Sequence, residues 1–357
     1  MSEQQKSLQQ IMDFRLEKLQ KLKDAGVNPY PHQFKPTHSS QEILGNYETL
    51  ENKTVVVAGR IMALRKMGKA SFTHIMDGAG RIQAYIRRDD IGEDQYNHFK
   101  LLDIGDFIGI EGYVFTTKMG EISIHADKIT VLAKSIRPLP VVKEKDGETF
   151  DAFSDKEQRY RNRHLDLIVN PEVRETFIKR TKIINAIRSY LDGRDFLEVE
   201  TPVLQPLYGG ANARPFVTHH NSLDQTFYLR IADELYLKRL IIGGFEKVYE
   251  IGKDFRNEGM DRSHNPEFTM LEYYEAYADY TDTMALIEDM IQTVAKGVDA
   301  TQITWGDMEI DLSKPFAKKP YFELLKEATG RDLSKASLEE LKTIFDELKI
   351  EIPDRKS

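Results

Sequence analysis

The chain has 357 residues, 40% of them hydrophobic, which is enough for two domains with real cores. Its 50 Lys and Arg against 58 Asp and Glu give a formal charge of -8, which excludes a surface that is basic all over and leaves local basic patches open. Cysteine is absent, excluding disulfides, thiolate catalysis and sulfur-ligated zinc, and the nine histidines lack the paired spacing of a protein-built transition-metal site.

The polar start Met1-Ser2-Glu3-Gln4-Gln5 has no apolar leader core, and no later stretch approaches the roughly 20 apolar residues of a membrane span, so a cytoplasmic protein without membrane contact is expected. Across residues 1–50, Leu8, Met12, Leu16, Leu19 and Leu22 recur at helical spacing and Gly26 follows as a C-cap. That pattern predicts one amphipathic helix, ended by the connector Asn28-Pro29-Tyr30-Pro31. Residues 51–135 change to short alternating strands from Thr54 to about Leu132, turning at Asp77-Gly78-Ala79-Gly80 and at Met119-Gly120. Five such strands suggest a small closed barrel of the OB type. Gln83, between Ile82 and Ala84, then points away from the barrel core. From Glu51 to Arg137, 13 Lys and Arg stand against 11 Asp and Glu, slightly positive inside an acidic chain.

Residues 136–170 hold Pro138, Pro140, Asp146-Gly147 and the basic run Arg159-Tyr160-Arg161-Asn162-Arg163, a composition that fits a linker. The basic run suits a solvated connector and an RNA-facing surface equally. Asn170 is placed to cap a helix opening at Pro171, with Glu172 and Glu175 where the helix dipole favours anions. Phe177, Ile184, Ile187 and Leu191 form its expected buried stripe. The segment Phe196-Leu197-Glu198-Val199-Glu200-Thr201-Pro202-Val203-Leu204 follows. Lys247-Val248-Tyr249-Glu250-Ile251-Gly252 then alternates into Phe255-Arg256-Asn257-Glu258, and His264-Asn265-Pro266-Glu267-Phe268-Thr269 returns through Met270 and Leu271 to Glu272. A hairpin of this kind holds Arg256, Glu258 and Glu272 on a rigid floor. A planar guanidinium there suits a reaction at phosphate, because it donates two parallel hydrogen bonds as charge develops. Gly259 and Asp261-Arg262-Ser263-His264 are expected to wrap a nucleotide, with His264 and Arg262 toward its phosphates and Phe268 stacked on its base.

The hairpin residues resemble motif 2 of the class II aminoacyl-tRNA synthetases, and closely the lysyl-tRNA synthetases. Residues 196–204 resemble motif 1, a helix-to-strand segment that this family uses at its dimer interface. The resemblance covers roughly residues 8–315 and implies an α+β fold: an N-terminal OB-fold β-barrel that binds an anticodon, then a class II synthetase antiparallel-sheet catalytic domain over residues 171–357. Two departures stand out. The family places a glycine directly before the aromatic residue of motif 1, where this chain has Asp195, and usually a proline before Glu234, where it has Asp233.

What the resemblance implies is a lysine-tRNA ligase, a homodimer built through motif 1 that activates lysine with ATP and passes it to tRNA(Lys). Arg256 would clamp the α-phosphate, and Glu258, His264, Asn265 and Phe268 would contact the nucleotide. Lysine would be held by Glu234 at its α-amino group, by Glu272 and Tyr274 at its side-chain ammonium, and by backbone brought close at Gly210. In the barrel, Phe72 would stack on a base, Gln83 and Glu121 would bond base edges, and Arg65 would meet phosphate or base. Magnesium would be held by acids near the family's C-terminus. Nothing after Tyr280 resembles the family's motif 3, so an incomplete catalytic sheet, unable to form lysyl-adenylate, is expected. Three alternatives remain: a non-catalytic RNA-binding paralogue, an aspartyl- or asparaginyl-type synthetase, and a ligase that modifies a protein lysine. Glu272 with Tyr274 opposes the second on charge, and the barrel opposes the third.

Overall fold

The computed structural model describes residues 7–140, 143–145, 148–150, 153–261 and 263–350. Asp146-Gly147 and Arg262, given roles above, and the segments 1–6 and 351–357 lie outside the described residues. The chain divides into two compact units, Met1–Pro171 and Glu172–Ser357.

In the first unit, helix α1 (Leu8–Asp24) starts at a capping box between Ser7 and Gln10, and Gly26 follows its end at φ 73°. Its inward face differs from the one expected. Leu8 and Leu16 are exposed, and the buried residues are Arg15 and Leu22. Arg15 sits where a leucine was expected because its guanidinium reaches the Ser135 carbonyl at 2.9 Å and the Ile104 carbonyl at 3.1 Å, so its charge is buried with partners. The barrel consists of β1 (Thr54–Met67), β2 (Ala70–Met76), β3 (Arg81–Arg87), β4 (Phe107–Thr116) and β5 (Ile122–Ala133), closed in the order β1-β2-β3-β5-β4. Only β3 and β5 run parallel. Alternation sends Ile75, Ile82, Ala84, Ile86 and Ile124 into the core, together with Val55, Val57, Ile108 and Ile110. Two helices, α2 (Lys156–Arg161) and α3 (Arg163–Val169), stand where the composition suggested a plain linker. Buried Asp166 explains them: Arg159 Nε donates to its Oδ1 at 2.7 Å, and Arg163 and Asn170 also donate to it. At least these two arginines of the basic run are therefore tied down internally.

In the second unit, α4 (Pro171–Asp192) begins at the expected proline. Its buried side is confined to the C-terminal part, with Tyr190 and Leu191 fully packed and Ile183, Ala186 and Ile187 beside them, while Phe177 is exposed. Asp195 takes φ 65°, the left-handed conformation that glycine adopts without penalty. Strand β6 (Leu197–Glu198) adds in parallel to β7 (Lys247–Phe255), and β7 pairs antiparallel with β8 (Glu267–Glu275) over its whole length. Helix α5 (Tyr280–Gly297) and α4 cover one face of this sheet, where Tyr249, Leu271 and Tyr273 meet Leu191, Met290 and Val294. The opposite face carries Glu250, Asp254, Glu272 and Tyr274. A second sheet joins Leu204–Gln205, Gln225–Leu229 and Val217–His220, and a hairpin and two helices, Tyr321–Thr329 and Leu338–Glu347, follow α5. Among the described residues no helix is long and apolar enough to cross a membrane.

Candidate functional site

Strand pairing assembles the floor. Glu250 lies opposite Glu272, Asp254 opposite Phe268, and Val248 opposite Tyr274, so these side chains share one face of the β7–β8 ladder. Arg256 continues the same parity just past β7. Its guanidinium carbon lies 5.0 Å from the Phe268 ring centre and Nη2 donates to the Ile231 carbonyl at 3.5 Å. Its buried Nε has no hydrogen-bond partner, a donor left facing an acceptor the protein does not supply.

Glu234 opens the helix Glu234–Ile242, and Gly210 packs onto it. At Gly210 φ is +91°, and a Cβ there would sit 2.8 Å from Glu234 Cβ, so only glycine permits this approach. Glu234 accepts from Lys238 Nζ at 2.6 Å, and that ammonium stands 6.0 Å from the Tyr274 ring, so a cation of the chain itself occupies the neighbourhood where a substrate amine is expected. Glu272 accepts the Asp233 N–H at 3.3 Å and the Tyr274 hydroxyl at 3.4 Å. Burial raises the Glu272 carboxyl above its ordinary range, with Asp254 and Glu234 adding to the rise. Tyr274 is raised too, by burial and by Glu272. Glu234, Glu272, Tyr274 and Tyr280 line a cleft of about 580 Å³.

Beneath the floor lies a network that sequence reasoning missed. Arg230, 2% exposed, donates to Glu250 at 2.6 Å, to the Lys253 carbonyl at 3.0 Å and to Thr201. Gly252 makes room for it, since a Cβ there would fall 1.9 Å from Arg230 Nη2. Asp233 occupies the N-cap position of the helix beginning at Glu234 with no side-chain cap bond and faces Arg230 at 3.0 Å instead.

Asn212, Ala213, Arg214, Asn257, Glu258 and Gly259 line a separate polar cleft of about 750 Å³. Arg214 was not singled out from the sequence; the Asn257 N–H donating to its carbonyl at 2.8 Å brings the two segments together. His264 and Asn265 are exposed and make their described contacts inside the loop, His264 Nδ1 lying 2.7 Å from Asp261 Oδ2 and Asn265 donating to the Glu267 carbonyl at 2.7 Å.

In the barrel, Arg65, Phe72, Gln83 and Glu121 line one cleft of about 440 Å³, with His74 and Met119. Arg65 and Phe72 are cross-strand partners, and Phe72 leans on Tyr85 with ring centres 4.9 Å apart, outside the core. Gln83 faces outward as expected, yet it is buried and committed. It donates to Glu121 at 2.6 Å and accepts from Ser123 at 2.9 Å. Glu121 is also 2.8 Å from His74, which shares the Phe72 face two residues on, so strand alternation was the signal that would have found it.

Residues 155–350 match the family model described as tRNA synthetases class II (D, K and N), and residues 55–132 match that of the OB-fold nucleic acid binding domain. The lysine-tRNA ligase of Pelotomaculum thermopropionicum is 53% identical over 332 residues, covering 93% of this chain and 64% of the relative. That of Carboxydothermus hydrogenoformans is 53% identical over 328 residues, covering 92% and 66%. The chain thus spans just under two thirds of the length of these curated relatives.

Proposed function

Because the chain belongs to the class II tRNA synthetases of the D, K and N group, we propose that it is a lysine-tRNA ligase, which activates lysine with ATP and esterifies it to tRNA(Lys). The observation that carries this is the pairing of two acids, Glu234 and Glu272, with the Tyr274 hydroxyl on the walls of one cleft. A half-buried acid of raised affinity for protons is an acid short of a cation, and an ammonium arriving at Glu272 supplies one. Aspartate would bring a second carboxylate to that wall, where like charge repels it.

Arg256 is the α-phosphate clamp. Phe268 and the Ile231 carbonyl fix its fork, whose N–H groups would meet a phosphoryl oxygen as the lysine carboxylate attacks in line. Glu258 lines the separate polar cleft as a nucleotide contact, and His264 and Asn265, exposed on the loop that follows, are the further contacts. Magnesium would neutralise phosphate charge in such a reaction. The three mutually close carboxylates of the described residues, Asp233, Asp254 and Glu272, do not fit it, because Arg230 already stands among them.

The barrel cleft reads the anticodon, with Phe72 as stacking platform and Glu121 and Gln83 as a pre-bonded pair whose remaining donor and acceptor positions meet base edges. Dimerisation through α4 and β6 is supported by apolar Ile178, Leu197, Val203 and Leu204, all exposed in the single chain.

Calorimetry with L-lysine tests the pocket. Glu272→Gln should raise the lysine Kd by about 30-fold or more, the cost of leaving a buried charge without its partner. An unchanged Kd would refute the assignment.

A further inference from the structure

Three buried carboxylates face one buried guanidinium. Arg230 lies 2.6 Å from Glu250, 3.0 Å from Asp233 and 3.3 Å from Asp254. If all three acids were ionised, the cluster would hold two uncompensated negative charges away from water, a state that buried acids avoid by keeping a proton. Glu250 has donors enough to stay ionised, from Arg230, from the Thr201 N–H and from the Thr201 hydroxyl at 2.6 Å. Asp233 and Asp254 do not. Both are 0% exposed, and all four of their carboxyl oxygens lack a hydrogen-bond partner, because Arg230 directs its N–H groups at Glu250, Thr201 and the Lys253 carbonyl. One oxygen of each, and one of Glu272, lie within 4.8 Å of one another. A proton between the two aspartates supplies the missing bond.

We propose that Asp233 and Asp254 share one proton beneath the substrate cleft and release it when a cation docks against Glu272. The idea rests on Glu272 being the ammonium's partner. Coupling runs by two routes: through space between the carboxylates, and through the Asp233 N–H that donates to Glu272 at 3.3 Å. The balance is simple, since one positive charge enters at Glu272 and one O–H bond of the pair breaks, its proton going to solvent. Burial and the neighbouring Asp254 push the Asp233 carboxyl up to about 8, and burial raises Asp254 as well. The charged and titratable groups facing the pair are Arg230 before the helix at Glu234, Glu250 and Arg256 on and beyond β7, and Glu272 and Tyr274 on β8, while Glu234, bonded to Lys238, faces Glu272.

Lysine binding to the 357-residue chain, measured calorimetrically near pH ~7.5 in buffers of different ionisation heat, counts the protons exchanged. Wild type should release about half to one proton, with affinity rising roughly three- to tenfold from about pH 6.5 to 8.5. Asp233→Asn and Asp254→Asn should bind lysine without that release and with a flat profile, the ligand's own titration being common to all three. Lysine bound with equal proton exchange in all three proteins overturns the exchange and leaves Glu272 as the ammonium's partner. Failure to bind lysine at all sinks the Glu272 assignment and the exchange with it, and the shared proton is then judged without ligand. Between the ordinary carboxylate range near ~4 and about 8, the unfolded chain is ionised while the folded one keeps the proton, so stability falls as pH rises through that window. The Asn variants lack this fall and should gain in Tm over wild type step by step from about pH 5 to 8. Equal slopes in all three overturn the shared proton.

Discussion

The two clefts both draw on antiparallel strands, and they treat their polar groups in opposite ways. In the barrel, Gln83 and Glu121 satisfy each other at 2.6 Å, with Ser123 and His74 completing the set, so the surface is ordered before any ligand comes. On the floor of the second unit, Asp233, Asp254 and Arg256 Nε are buried without hydrogen-bond partners. A surface that meets neutral bases is finished in advance, whereas the one that meets an ammonium and a phosphate rests on buried acids without bonds of their own. The difference is physical: bases are bound by stacking and edge bonds, a metabolite by charge it brings itself.

Three substitutions sharpen this contrast, in falling order of effect. Arg230→Ala leaves Glu250, Asp233 and Asp254 buried without a counter-charge, so it should cost about 3–5 kcal/mol in a denaturation experiment; a loss below about 1 kcal/mol would show that the acids are already neutral. Arg256→Ala should raise the ATP Kd by roughly 10- to 100-fold, the worth of charge-assisted bonds, with little change in stability. Phe72→Ala should weaken binding of a uridine-rich anticodon stem-loop by about 1–3 kcal/mol and leave lysine binding untouched, because it removes a stacking platform in the other unit. Equal losses for both ligands would erase the distinction between the clefts.

Much of this was legible beforehand, for reasons that differ by region. Alternation with glycine turns gave the five barrel strands and put Gln83 outside the core, because a strand's period of two marks both faces. The hairpin reading put Arg256, Glu258 and Glu272 on one floor; the pairing keeps the parity of Arg256 and Glu272, while Glu258, past the end of its strand, lines the separate cleft. What escaped, among the described residues, was a set of buried charges. Arg15, Arg230, Asp166 and Asp254 look like solvated residues in sequence, since their partners are supplied by distant segments: Arg15 by residues 104 and 135, Arg230 by Glu250 across 20 positions. The helices at Lys156–Arg161 and Arg163–Val169 were missed with them, as Asp166 is what gathers their arginines. Phe177 shows the converse error, a helical stripe taken for core that stays exposed in the single chain. Asp195 was flagged as an irregular approach to the motif 1 strand, and its φ of 65° gives the reason.

The claim that the floor selects a positive side chain is tested most directly with two ligands of nearly equal shape, L-lysine and L-norleucine, titrated into the chain under identical conditions. Lysine should bind more tightly by about 2 kcal/mol or more, roughly 30-fold, since only it answers the charge of Glu272. Equal affinities, or tighter binding of norleucine, would contradict the account.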